Sequence, residues 1–198
     1  MNKIEVMDML LEQNNGIIMT ANITAAGISK PYFAEYVEKR DLERVSHGIY
    51  VSKDAWVDSM YLLQLRYAQA IFSHETALFL HDLTDREPIQ YAVTVKTGYN
   101  TSKLLDANAK VYTIRKDLYE LGATEATTSF GHSIIVYDKE RTVCDIVRSR
   151  SRVEIQTFQD ALKQYSRSKD KNLRLLMEYA GKFHIERILN QYMEVLLP

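Results

Sequence analysis

Few residues in this 198-residue chain stand where catalysis would need them. Ser73-His74-Glu75 sets three triad residue types side by side, but neighbours in sequence point in different directions and do not converge as nucleophile, base and orienting acid. His74 and His81 fall seven apart on one helical face, with Glu75 adjacent. A metal site would need a third ligand at a supportive spacing, and no His-Glu-x-x-His pattern is present. Both histidines are therefore read as packing or hydrogen-bonding residues. Asp138 and Asp145 lie one helix apart with no Glu-x-Lys in the chain, which does not suit a two-metal nuclease. No Gly-rich phosphate loop, serine elbow or kinase signature occurs. The single cysteine, Cys144, excludes an internal disulfide or a Cys-rich zinc site and reads as a small buried hydrophobe in an apolar run. The expectation is a protein without catalytic residues, cofactor or metal, and not an enzyme.

Groups that could meet phosphate are easier to find. Lys30, Tyr32, Lys39, Arg40, Arg44, Ser46 and His47 all fall between Gly16 and Val51. A short helix from Thr20 to Ala26, capped by the Thr20 hydroxyl, is followed by Gly27, which supplies a tight turn. A second helix starts at Ser29-Lys30-Pro31, with Ser29 as its cap and proline in its first turn, where a missing amide hydrogen costs little. Two β-prone runs, Leu42 to Val45 and Ile49 to Val51, are joined by Ser46-His47-Gly48. Helix, turn, helix and hairpin is the order of a winged helix-turn-helix. Such a module presents its second helix to the major groove and its wing to the neighbouring phosphates. Glu35, Glu38, Asp41 and Glu43 dilute the positive charge, so one copy gains affinity by pairing with a second on adjacent half-sites. A monomer in solution that pairs on DNA is expected.

The net charge is −1, with 46% hydrophobic and 26% charged residues, ordinary for a water-soluble globular chain. The acidic N-terminal helix, Lys3 to Gln13, is neither a signal peptide nor a membrane span, and a cytoplasmic location is expected. The fold class reads as α+β, with a winged helix-turn-helix over residues 1–54. A mixed α/β domain over residues 55–198 follows, with a small sheet and several C-terminal helices. Helices are expected at Ala55 to Ile71, with Trp56 on its apolar stripe, at Ser73 to His81, and after the cap Asp138 to Arg148. Three more span Ile155 to Tyr165, Leu173 to Phe183 and Ile185 to Leu197. Strands are expected at Ile89 to Val95, Val111 to Arg115 and Ser133 to Tyr137, with a polar loop at Thr124 to Ser129. In this half Arg148, Arg150 and Arg152, then Lys163, Arg167, Lys169 and Lys171, form basic clusters, with Arg141 and Arg174 added to the same region. They are either solvated helix ends or a second electropositive surface for DNA backbone, RNA or an acidic partner.

Leu42-Glu43-Arg44-Val45-Ser46-His47-Gly48-Ile49-Tyr50, Ser73 to Leu83 and Asp138 to Asp145 together resemble the AbiEi antitoxins of bacterial abortive-infection systems. The order and spacing of these segments fit that family in both halves of the chain. The resemblance implies an N-terminal winged helix that represses its own promoter by binding inverted repeats in double-stranded DNA. It also implies a C-terminal antitoxin domain that counteracts an AbiEii-like toxin, itself similar to nucleotidyltransferases. Such type IV systems require no stable toxin–antitoxin complex.

Overall fold

A computed structural model describes residues 2–197. Among them, eleven helices and eight strands make an α+β protein. The chain forms two compact units, one running to Arg66 and including Ser129–His132, the other comprising Tyr67–Thr128 and the chain from Ser133 onward.

In the first unit, α1 (Lys3–Gln13) starts in a reciprocal cap. The Glu5 amide donates to the Asn2 side chain, and the Asn2 amide donates to the Glu5 carboxylate. The helix ends at Asn15 and Gly16, both with positive φ. Strand β1 (Ile17–Met19), helices α2 (Thr20–Ala25) and α3 (Lys30–Lys39), and strands β2 (Glu43–Ser46) and β3 (Ile49–Val51) follow. The strands form an antiparallel sheet in the order β1-β3-β2, with a bulge between Arg44 and Ser46. Met7, Ile18, Ile23, Ile28, Phe33, Tyr36 and Leu42 form one core between helices and sheet. Ile17, Ile49 and Val51 form a second, packed against Tyr61, Leu62 and Leu65 of α4 (Ser59–Arg66).

That second core carries the unit past residue 54 to Arg66, since α4 is its apolar cover. The helix expected from Ala55 to Ile71 is only these eight residues. Its start is set by Asp58, whose carboxylate accepts the Tyr61 amide at 3.0 Å, and Trp56 lies outside it, 84% exposed. Thr20 does not cap α2. The N-cap is Met19, and the Thr20 carbonyl instead accepts the Thr24 hydroxyl. Ser29 is the N-cap of α3 by backbone position, without a side-chain bond.

The second unit is built on β4 (Ile71–Phe72), β5 (Ala92–Lys96), β6 (Lys110–Ile114), β7 (Ala123–Thr127) and β8 (Ser133–Tyr137), in the order β6-β5-β4-β8-β7. Pairs β4/β8 and β5/β6 are parallel, while β4/β5 and β7/β8 are antiparallel. Strand β7 replaces most of the expected polar loop. It is an edge strand with four of five residues exposed, so it needs no apolar alternation. Ile89, expected in β5, lies outside it and is 98% exposed.

The helices are α5 (His74–Leu80), α6 (Ser102–Asp106), α7 (Lys116–Tyr119), α8 (Lys139–Arg148), α9 (Ile155–Arg167), α10 (Leu173–Phe183) and α11 (Glu186–Leu196). Helix α8 is the core helix. Asp138 caps it through the Arg141 amide at 2.7 Å, and every residue from Glu140 to Val147 is buried. Cys144 is buried there as expected, with burial pushing its thiol pKa up. No helix among the described residues is long and apolar enough to cross a membrane.

Candidate functional site

The first candidate surface is the outer side of α3 with the β2–β3 hairpin. Helix α3 buries Phe33 and Tyr36, which turns Lys30, Glu35 and Lys39 outward and exposed. Tyr32 is half-buried under the Lys3 ammonium, 5.4 Å from its ring centroid. Lys30 and Lys39 make no ion pair among the described residues. Arg40 differs from them. Its guanidinium reaches Asp8 of α1 at 2.6 Å, and the same carboxylate accepts the Tyr36 hydroxyl at 2.7 Å. Burial and Asp8 together push the Tyr36 hydroxyl pKa up. Arg40 therefore joins α1 to α3, leaving Lys30 and Lys39 as the uncommitted cations of the helix.

At the hairpin, Gly48 takes a positive φ of 71°, and His47 is exposed at the tip. Arg44 is exposed and folds along its own strand, Nε donating to the Ser46 carbonyl at 3.3 Å. The bulge between Arg44 and Ser46 breaks the alternation, so the two residues sit at the bend of one edge. Lys30, Lys39, Arg44, Ser46 and His47 thus share a small four-helix, three-strand unit, on elements set by its two cores.

The basic residues of the second unit are held in different ways. Arg141 is fully buried. Its Nε donates to Asp145 at 2.9 Å, and its Nη1 donates to the Leu118 and Leu121 carbonyls at 2.8 and 2.7 Å. The guanidinium lies 4.0 Å from the Tyr137 ring centroid. Arg148 takes the other Asp145 oxygen at 3.0 Å, and Arg150 closes the end of α8 by donating to the Val147 carbonyl. Lys163 and Arg167 on α9, and Lys169 beyond it, are exposed. Lys171 donates to the Ser168 carbonyl. These last four residues are absent from the lining of the cavity that takes in Arg148 and Arg152.

A buried network surrounds His74, where the sequence suggested only packing or hydrogen bonding. Its ring lies 3.4 Å from that of Tyr112, nearly parallel. Nδ1 is 3.0 Å from the Ser73 hydroxyl and Nε2 is 3.1 Å from the Ser149 hydroxyl. Thr94 donates to Ser73 at 2.8 Å. His81 is not part of this group; its Nε2–H donates to the Tyr137 carbonyl at 2.6 Å. The backbone at His74 is left-handed, φ 48°, a conformation that costs a non-glycine residue about 1–3 kcal/mol and clusters at functional sites. Sequence reading misses this network because α5, β6 and the end of α8 supply it from distant positions. The nearest local signal is Arg148-Ser149 followed by Arg152.

Burial first, then the charges of Arg148, Lys110, Arg141 and Arg152, hold the His74 pKa well below the ordinary imidazole value. The unfolded chain takes up this proton near pH 6.5 and the folded chain does not. Stability from this group is thus complete above pH 6.5 and falls as pH drops, by about 1.4 kcal/mol per unit at most. Asp145 has the opposite sign, because burial raises its carboxyl pKa. Comparison with His74→Asn, a residue that tolerates the left-handed backbone, isolates the histidine. Denaturant melts at pH 7 and pH 5 should show a smaller pH loss in the variant; equal losses would refute the assignment.

No protein-family model matches the chain, and no curated protein matches it. The fold is similar to a crystal structure of the RV2827C protein from Mycobacterium tuberculosis, with a TM-score of 0.57 at 15% identity. The match covers 87% of this chain and 70% of that one. At that identity the likeness is one of fold.

Proposed function

We propose that the first unit is a winged helix that binds double-stranded promoter DNA, and that the chain is an autoregulatory repressor and antitoxin. The observation that carries the DNA reading is the element order α1-β1-α2-α3-β2-β3 with strand order β1-β3-β2. In this reading α3 serves as recognition helix and the β2–β3 hairpin as wing, with Lys30, Lys39, Arg44, Ser46 and His47 on them. With Arg40 committed to Asp8, the helix offers few cations, and two copies on inverted repeats supply the remaining affinity. The antitoxin role rests on the resemblance of the three quoted segments to the AbiEi family. In this reading the second unit acts against an AbiEii-like toxin without a lasting complex.

The test is a gel shift on the DNA upstream of the coding frame at two salt concentrations. Changing Lys30, Lys39 and Arg44 together to alanine should weaken binding to all sequences. The slope of log affinity against log salt should flatten by roughly 2.7 per bound copy, at about 0.9 per phosphate contact. Undiminished binding by the triple variant would sink the DNA reading. For the antitoxin role, the full chain should rescue cells expressing the toxin, and Lys163, Arg167 and Lys169 changed together to glutamine should weaken rescue without altering the gel shift.

A further inference from the structure

Beside the His74 network lies a cavity of about 160 Å³, lined by His74, Thr94, Tyr112, Asp145, Arg148, Ser149 and Arg152 among others. At roughly 30 Å³ per water this is about five waters, room for a phosphate group and not for a nucleoside. We propose that it is a phosphate-binding site, taking the oxyanion either free or as the phosphomonoester of a nucleotide.

The charge balance favours an anion. Arg148 and Arg152 line the cavity against one carboxylate, Asp145, and the charges of Lys110 and Arg141 reach His74 from beyond that lining. Asp145 is engaged at both oxygens, and Glu75, outside that lining, at one, its Oε2 being buried without a partner. Asp145 gives one oxygen to Arg141 and the other to Arg148, and Glu75 holds Lys110 at 2.5 Å. Arg152 has no carboxylate partner among the described residues. Its guanidinium lies 4.3 Å from the Tyr112 ring centroid, so its planar fork is held by stacking while its N–H donors remain available. Guanidinium groups suit phosphate because they offer paired donors at its oxygen spacing.

The neutral groups supply donors too. Thr94 donates to Ser73, and Ser73 is fully buried with His74 Nδ1 as the acceptor in reach. A hydroxyl proton left without an acceptor there would be costly, so Ser73 donates to Nδ1 and the ring carries its proton on Nε2. Nε2–H then donates to Ser149, whose own hydroxyl hydrogen is free to donate into the cavity. Tyr112, on the same lining, has its buried Oη beside the Lys110 ammonium without a hydrogen bond of ordinary geometry. A larger cavity of about 570 Å³ is also lined by Arg152, with Lys110, Glu75, Gln90 and Thr157. A nucleoside attached to the bound phosphate would fit there.

Calorimetric titration of the full chain with inorganic phosphate, and separately with a 5′-nucleoside monophosphate, tests the site. Binding is expected for phosphate, and tighter binding of the monophosphate would identify a nucleotide as the carrier. Phosphate binding without monophosphate binding would identify the free ion. Arg152→Gln should weaken binding about tenfold or more, the loss of one charged hydrogen-bond donor. Ser149→Ala should also weaken it, with a modest fall in melting temperature because His74 Nε2–H loses its acceptor, while Lys163→Gln and the Lys30/Lys39/Arg44 variant should bind as the parent does. No binding of either ligand, or parental affinity in both Arg152→Gln and Ser149→Ala, overturns the proposal. Neither result bears on DNA binding by the first unit.

Discussion

Changing Asp145 to alanine should destabilise the second unit by about 3–5 kcal/mol, the cost of leaving a buried charge without its partner. In a chain of this size that is a fall in melting temperature of roughly 6–20 °C, at about 2–4 °C per kcal/mol. Asp145 is 1% exposed and Arg141 is fully buried, so no solvent replaces the lost carboxylate. Arg141 would keep its bonds to the Leu118 and Leu121 carbonyls and its contact with Tyr137. Its Nε would join Nη2, which already has no partner. Arg148 would lose its anchor as well. Asp145→Asn keeps the shape and one acceptor and should cost less than alanine. A thermal melt followed by circular dichroism decides it, and an alanine variant melting within 2 °C of the parent, about 1 kcal/mol or less, would refute this account.

The second large effect belongs to the first unit. Gly16→Ala should cost about 2–4 kcal/mol, combining a strained left-handed backbone with overpacking in a filled space. Gly16 has a φ of 84°, and an added Cβ would stand 2.4 Å from the Ala55 Cβ. An alanine Cβ is fixed to its backbone and cannot swing away. The Gly16 amide donates to the Leu11 carbonyl and its own carbonyl accepts the Ser52 amide, so α1 and the end of β3 are both pinned at this point. Hydrogen exchange should accelerate across α1 to β3, and the proposed DNA binding should weaken with it, while amides of α8 and α10 stay protected. Unchanged protection in α1 to β3 would show that the turn relaxes at little cost.

These two sites show which parts of the molecule can be read locally. Helix α10 runs from Leu173 to Phe183 as its periodicity predicts, because apolar spacing and the Asn172 cap are properties of neighbouring residues. Asp138 caps α8 for the same reason, and Gly16 and Gly48 occupy the positive-φ turns that glycine signals. The Ala55–Ile71 pattern misleads. Periodicity gives the apolar stripe, while the start of α4 depends on Asp58 and its end on the switch to strand β4.

By itself, then, the sequence determined the α+β class, the helix–turn–helix–hairpin order of the first fifty residues, and most of the helices that follow. Short-range capping, turn and periodicity rules act within a few residues and need no partner. Only the tertiary structure decided that the first unit extends to Arg66, that β7 is an edge strand, and that Arg40 binds Asp8. It also decided the fate of the basic clusters. Arg141 goes to the core and Arg152 to the Tyr112 ring beside His74, while Lys163 and Arg167 stay on the surface. Charge along a chain does not say which side chain finds a carboxylate or an aromatic face, because those partners come from elements far away in sequence.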